Sequence, residues 1–185
     1  MVKRPEIAPA DVTEVLGTTD RTLGAVIESV LGTAPSLEVV AQWRLEPPHP
    51  AWVTPPFAAD APVLGRCTGY RDEGAELSHN LAYVDLSNVD PDVAEGLETG
   101  RVHLGQLFLD PGIEKFGFEF GDDASAPVMT AEYERLLAGR AGDLRPFVWR
   151  RYSAGVGGSV SFVVIEALPV RTWEAVFARR AKELG

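Results

Sequence analysis

The sequence predicts an α+β fold in which an antiparallel β-sheet is covered on one face by helices. Segments with strand-like patterns outnumber segments with helical patterns, and tight turns separate consecutive strands. Amphipathic helical spacing occurs near the start of the chain and again at its end. Because tight turns join antiparallel neighbours, the helices do not connect strands within the sheet. We expect them to pack together against one face of it.

The first predicted helix lies close to the start of the chain. Thr19 or Asp20 can cap it by accepting hydrogen bonds from free backbone N–H groups, and Gly32 can end it. Its apolar residues have helical spacing: Val26, Ile27, Val30 and Leu31. Residues 37–45 alternate as a strand does, and the six prolines within 46–62 predict a loop or an edge segment.

The middle of the chain predicts a β-hairpin followed by short helices. Residues 63–70 and 75–86 form the two strands, and Asp72-Glu73-Gly74 forms the turn between them. One helix begins with Asp90-Pro91 and ends at Gly100, and a second helical stretch covers 106–109. The next strand is predicted from strict alternation, with one face buried by Phe116, Phe118 and Phe120.

The C-terminal part predicts a second hairpin and a final helix. Residues 122–146 form an extended polar segment with one helix at 130–139. The hairpin strands are residues 149–153 and 159–168, joined by a glycine-rich turn. Residues 171–184 have helical spacing with basic residues late, which suits the helix dipole. We expect residues 1–185 to form a single domain.

Composition and charge narrow the possible partners. The net charge is −10 and the pI is about 4.8, which argues against nucleic acid or an anionic membrane as partner. Cys67 is the only cysteine, so neither an intrachain disulfide nor a thiolate metal cluster is possible. Neither a signal peptide nor an apolar run of membrane-spanning length is present, and we expect a cytoplasmic protein.

Common cofactor and metal motifs are missing from the sequence. No glycine loop lies between a strand and a helix, where it could hold a phosphate. His49, His79 and His103 lack the spacing of metal ligands, and we interpret each as a surface or turn residue. No serine or cysteine lies in a nucleophile elbow. We therefore predict neither a cofactor nor a metal.

Three stretches of the sequence together carry a family resemblance. They are 18–23 with the helix that follows, 63–66 through the hairpin to 103–108, and 149–152 with 163–169. Their order and spacing resemble the chorismate pyruvate-lyase family from about Thr13 to Pro169. Those enzymes eliminate pyruvate from chorismate to give 4-hydroxybenzoate, without a cofactor.

The resemblance implies an internal cavity on the sheet, covered by helical flaps. By analogy, Arg66 and the N–H of Leu104, in the Leu104-Gly105 turn, would hold the ring carboxylate of a small substrate. A guanidinium binds a carboxylate through two parallel charge-assisted hydrogen bonds. Glu166 would be the acid/base, and Arg66 with Glu166 would form the catalytic pair. These two residues could equally form a structural ion pair.

The second carboxylate of chorismate suggests a further arginine. Arg150 and Arg151 are adjacent on a predicted strand, so one of them should face inward. We take Arg151 as the candidate for substrate binding, and a solvated strand edge is the alternative. The oligomeric state is open between a monomer and a homodimer.

Two other functions compete with a lyase. The long 122–146 segment and the apolar Leu81 and Ala82 favour a cyclase or dehydratase that acts on a larger, polyketide-type substrate in secondary metabolism. The effector-sensing domains of some transcription regulators share this fold and bind ligands without turnover. The lack of a DNA-binding segment argues against that third interpretation.

Overall fold

The computed structural model describes residues 11–49, 56–125 and 145–184. In these ranges the helices are α1 (Val12–Gly17), α2 (Leu23–Leu31), α3 (Pro91–Glu98), α4 (Leu104–Leu107) and α5 (Val170–Leu184), with a 3-10 turn at Leu86–Asn88. The strands are β1 (Ser36–Leu45), β2 (Val63–Asp72), β3 (Ala75–Asp85), β4 (Glu114–Asp122), β5 (Phe147–Val156) and β6 (Ser159–Pro169). The helix predicted at 130–139 lies outside the described residues.

The six strands form one antiparallel sheet in the order β1-β2-β3-β6-β5-β4. The predicted α+β class and antiparallel sheet are therefore confirmed. The β2–β3 hairpin turns at Glu73 and Gly74, whose φ angles are 48° and 86°. The β5–β6 hairpin turns at Gly157 and Gly158, with φ angles of 58° and 81°. Left-handed conformations at both central residues match the right-handed twist of the strands that they join.

The N-terminal helices differ from the prediction in their caps. Helix α2 begins at Leu23, and its cap is Thr22, whose hydroxyl accepts a hydrogen bond from the Ala25 N–H at 3.3 Å. The prediction of Thr19 or Asp20 as cap was wrong by two or three residues. Helix α1, which the sequence did not predict, is capped by Asp11 through the Glu14 N–H at 2.9 Å. At six residues it is too short to show helical periodicity.

The helices pack on one face of the sheet. Helices α1, α2 and α5 share one apolar core, and its fully enclosed residues include Val15, Ile27 and Trp173. The Trp173 indole N–H donates to the Leu77 carbonyl oxygen at 2.8 Å, which satisfies its polar atom inside the core. None of the described helices is long and apolar enough to cross a bilayer.

The opposite face of the sheet carries a second core covered by a loop. Phe57 and Ala61, from the segment before β2, pack with Leu81, Tyr83 and other buried residues. Leu81 therefore lies away from the cavity, and its use as a sign of a larger substrate was wrong. Adjacent residues of a strand point to opposite faces, so Ala82 faces the helices and Leu81 does not.

Strand β4, at one edge of the sheet, does not bury one regular face. A bulge falls between Phe116 and Glu119, where Gly117 adopts a φ of 65°. Phe118 packs on Tyr152 at a ring-centroid distance of 5.1 Å, but Phe120 is 53% exposed. The expectation of three buried phenylalanines was wrong: Phe116 and Phe118 are only half-buried and Phe120 is exposed, because the bulge disrupts the pairing and the strand lies at the edge.

Gly65 allows an aromatic ring to lie directly on the sheet. A methyl group there would overlap the Trp43 ring, which contacts Tyr83 edge-on at a centroid distance of 6.1 Å. We expect Gly65→Ala to lower the free energy of unfolding by about 1–3 kcal/mol, measured by urea denaturation. Gly17→Ala is the matched control, since nothing lies within 4 Å of its added methyl group. Equal stabilities of the two variants would contradict the packing argument.

Candidate functional site

A small cavity lies between the sheet and the covering segments, with a free volume of about 50 Å³. Strands β2, β3, β5 and β6 supply its floor, and the start of α2 and the α4 region supply its cover. Its lining residues are Thr22, Leu23, Leu37, Arg66, Thr68, Tyr70, Asn80, Ala82, His103, Leu104, Gly105, Phe108, Tyr152, Val164 and Glu166.

Strand register arranges the cavity floor in two rows. One row runs across the sheet through Thr68, Asn80 and Glu166, which are successive cross-strand neighbours; we call it the polar row. The parallel row contains Arg66, Ala82, Val164 and Tyr152. Cross-strand neighbours on one face lie about 5 Å apart, so their side chains form a continuous surface. The floor thus combines a cation, a small apolar patch and a line of polar groups.

Arg66 is almost fully enclosed, with 1% of its surface exposed. Its Nη1 donates to the Val102 carbonyl oxygen at 2.8 Å. Its Nε and Nη2 have no hydrogen-bond acceptor among the described residues. Burial lowers the pKa of the guanidinium, although arginine stays protonated at neutral pH. A buried cation with free N–H groups is costly to keep, and an anionic group would supply both the counter-charge and the acceptors.

Glu166 lines the cavity but has its own cationic partner. The Arg150 Nε donates to its Oε2 at 2.5 Å, and the Tyr152 hydroxyl donates to its Oε1 at 3.2 Å. The expectation that Arg66 pairs with Glu166 was wrong. Arg150 is the direct cross-strand neighbour of Glu166, whereas Arg66 belongs to the other row and lies two strands away.

The two neighbouring arginines of β5 occupy opposite faces. Arg150 is fully buried on the helical face. Arg151 is outside the cavity lining, and its Nη1 lies 3.2 Å from Glu119 Oε1 at the edge strand. This corrects the expectation that Arg151 meets a ligand. Alternation predicts that one arginine faces inward but does not say which one.

Two tyrosine hydroxyls face the cavity as neutral hydrogen-bonding groups. Burial, together with the negative charge of Glu166, raises the pKa of Tyr70 to about 12. The same causes raise the pKa of Tyr152 well above its usual value. Both hydroxyls therefore keep their protons at neutral pH and can donate hydrogen bonds.

Leu104 and Gly105 also line the cavity, as the first residues of α4. N–H groups in the first turn of a helix lack intrahelical acceptors. The role of the Leu104 N–H as a second anion donor stays a prediction. His103, which we interpreted as a turn residue, lines the cavity as well, and its Nδ1 is buried without a partner among the described residues.

Sequence reasoning missed most of the polar lining. Thr68 and Tyr70 follow Arg66 at every second position of β2, so alternation alone could have placed them on its face. Asn80 could be found only through strand register. Within the described ranges, no group of three or more His, Cys, Asp or Glu side chains could hold a metal ion.

Comparison with known proteins gives matches in structure only. No family model and no curated protein matches the sequence. The structure of PhnF from Mycobacterium smegmatis matches with a TM-score of 0.57 and 14% identity, over 82% of this chain and 64% of PhnF. The effector domain of PhnF alone matches with a TM-score of 0.54 and 16% identity, over 80% of this chain and 88% of the domain. The C-terminal domain of the histidine utilization repressor from Pseudomonas syringae matches with a TM-score of 0.50 and 15% identity, over 75% of this chain and 93% of that domain.

These likenesses correct the functional predictions. They show a shared fold, and the matched structures include the effector domain of PhnF and the C-terminal domain of a repressor. The assignment to the chorismate pyruvate-lyases was wrong, and so were the predicted enzyme activity, the products 4-hydroxybenzoate and pyruvate, and the related cyclase or dehydratase. The three stretches that suggested a lyase specify hairpins, turns and a helix, which are features of the scaffold and not of a reaction.

Proposed function

We propose that this chain is a non-catalytic effector-binding domain that takes up a small anion in the cavity. The observation that carries the proposal is Arg66, an enclosed cation whose Nε and Nη2 have no acceptor among the described residues. An anionic group of a ligand would supply both the counter-charge and the missing acceptors. The likeness to effector domains of regulators supports the same function.

The cavity floor indicates which chemistry the ligand carries. A carboxylate or phosphate group matches the planar fork of the Arg66 guanidinium. The polar row would bind hydroxyl or amino groups, and Asn80 has a buried Oδ1 with no partner among the described residues. Ala82 and Val164 offer a small apolar surface for carbon atoms. We therefore propose a small hydroxylated or aminated anion, with the Leu104 and Gly105 N–H groups as further donors.

Glu166 lines the cavity with a carboxylate that hydrogen bonds hold in place. Both carboxylate oxygens already accept hydrogen bonds, from Arg150 and from Tyr152. Each carboxylate oxygen keeps a further lone pair, so Glu166 can also accept a hydrogen bond from a ligand. In this proposal Glu166 orients the ligand by accepting that hydrogen bond.

The proposed role changes the expected partners. The expectation that nucleic acid is excluded conflicts with the likeness to transcription regulators. We propose that this domain does not itself contact DNA, since its net charge is −10. DNA contact would belong to another segment or subunit of the regulator. We propose that the regulator is a cytoplasmic homodimer. That residues 1–185 form one effector domain is part of the same proposal.

Calorimetry and thermal unfolding with a small anion panel test the proposal. The panel contains inorganic phosphate, glycerol 3-phosphate and benzoate, and benzamide is the neutral match for benzoate. We expect at least one anion to bind with 1:1 stoichiometry. At a hundredfold excess over Kd it should raise Tm by about 5–10 °C, whereas benzamide should not. Native mass spectrometry of the purified protein extends the search to bound cellular ligands. Release of pyruvate from chorismate, or no anion bound in either experiment, would contradict the proposal.

A further inference from the structure

Arg150 connects the floor of the cavity to helix α1. Its side chain is fully buried, and its Nε holds the cavity-lining Glu166. Its Nη1 donates to the carbonyl oxygens of Leu16 and Thr18, each at 2.6 Å. These carbonyls end α1, where backbone oxygens lack intrahelical donors and the helix dipole favours a cation. One guanidinium therefore contacts both the cavity floor and the end of the helix.

A second cation attaches the segment that follows α1. The Lys115 Nζ donates to the Arg21 carbonyl oxygen at 2.7 Å. It also lies 5.6 Å from the ring centroids of both Phe108 and Tyr152, which line the cavity. Thr22 and Leu23, next along the chain, are themselves part of the cavity wall. Residues 16–23 thus contact the cavity lining, or residues bonded to it, along their length.

Helix α1 depends on these contacts for its position. It has six residues, and a helix of that length is not stable in water by itself. Val15 and Leu16 pack in the core shared with α2 and α5, and Arg150 holds the polar end. A change in the orientation of the Arg150 guanidinium would therefore alter how firmly α1 is held.

We infer that occupancy of the cavity is transmitted to α1 through Glu166 and Arg150. A ligand that donates a hydrogen bond to Glu166 draws the carboxylate towards the cavity. Arg150 then loses the contact that orients it and releases the Leu16 and Thr18 carbonyls, so α1 loosens. The regulatory meaning of this connection rests on the proposed effector-binding function, whereas the connection itself does not.

Hydrogen exchange of the ligand-free protein tests the connection. Arg150→Lys keeps the charge but cannot hold Glu166 and two carbonyls at once, because it lacks the planar fork. Glu166→Gln weakens the same chain of contacts from the cavity end. We expect both variants to exchange the amides of residues 12–18 about 10- to 100-fold faster, a larger factor than for the amides of β2 and β3. Arg151→Lys, the neighbour on the opposite face, should match the wild type.

Two outcomes of that experiment would overturn the inference. If Arg150→Lys loosens α1 but Glu166→Gln leaves it unchanged, the cavity is not connected to the helix. If exchange accelerates uniformly across the sheet and all helices, the variants destabilise the whole protein and no specific connection exists.

A ligand pair separates this inference from the proposed function. Glycerol 3-phosphate carries hydroxyl groups that can reach the polar row, and propyl phosphate is the same length without them. We expect bound glycerol 3-phosphate to accelerate exchange at residues 12–18 more than bound propyl phosphate does. Equal exchange with both ligands bound would overturn transmission through Glu166. If neither ligand binds, the proposed function loses support. Hydrogen exchange of the ligand-free variants still shows whether Glu166 and Arg150 connect the cavity to α1.

Discussion

Replacing Arg66 with methionine is expected to remove anion binding and, at the same time, to stabilise the free protein. Two charge-assisted hydrogen bonds to the ligand are lost together, so affinity should fall by about 10²–10⁴-fold. The free protein no longer buries a cation whose Nε and Nη2 lack acceptors among the described residues. The variant also loses the hydrogen bond from Arg66 to the Val102 carbonyl oxygen, which reduces this gain in stability. The net gain in unfolding free energy should be about 1–3 kcal/mol.

Calorimetry with the best-binding anion, and urea denaturation without it, measure the two effects of Arg66→Met. Arg66→Lys should recover only part of the affinity, because a point charge cannot reproduce the planar fork. Arg71→Met is the matched control on the same strand. Arg71 pairs with Glu38 and Glu76 at a partly exposed site, and its loss should leave affinity unchanged. An Arg66→Met variant that binds as tightly as the wild type would remove the basis of the proposed function.

Replacing Arg150 with methionine should have the opposite effect on stability. The change leaves Glu166 buried without its cation and takes the donor from the Leu16 and Thr18 carbonyls. Breaking a buried ion pair from one side costs about 3–5 kcal/mol, because the remaining charge is uncompensated. For a chain of this size Tm should fall by about 6–20 °C, and urea denaturation gives the free energy directly.

A double variant distinguishes the lost pair from lost packing. Arg150→Met with Glu166→Leu removes both charges, and we expect it to recover part of the stability lost in Arg150→Met. Arg151→Met is the matched control, since its Glu119 partner is 59% exposed and the pair should contribute about 0–1 kcal/mol. If Arg150→Met is as stable as Arg151→Met, Arg150 is not the buried anchor of this site.

The sequence by itself determined the local elements and the faces of the strands. Period-2 alternation places Arg66 on the same face of β2 as Thr68 and Tyr70, whatever the sheet order. The turn residues Glu73-Gly74 and Gly157-Gly158 specified the two hairpins, because a left-handed backbone conformation is easiest for glycine. These features depend on residues close together in the chain, so a single sequence is enough to predict them.

Only the tertiary structure decided which charges meet. The pairing of β3 with β6 joins two distant hairpins, and it sets Glu166 between Asn80 and Arg150 and away from Arg66. The contact between Arg150 and Leu16 joins residues 134 positions apart. Alternation limits such a side chain to one face but cannot choose its partner there, because the partner depends on strand order and register. The proposed function depends on those partners too: because Glu166 bonds to Arg150, Arg66 keeps Nε and Nη2 without an acceptor among the described residues.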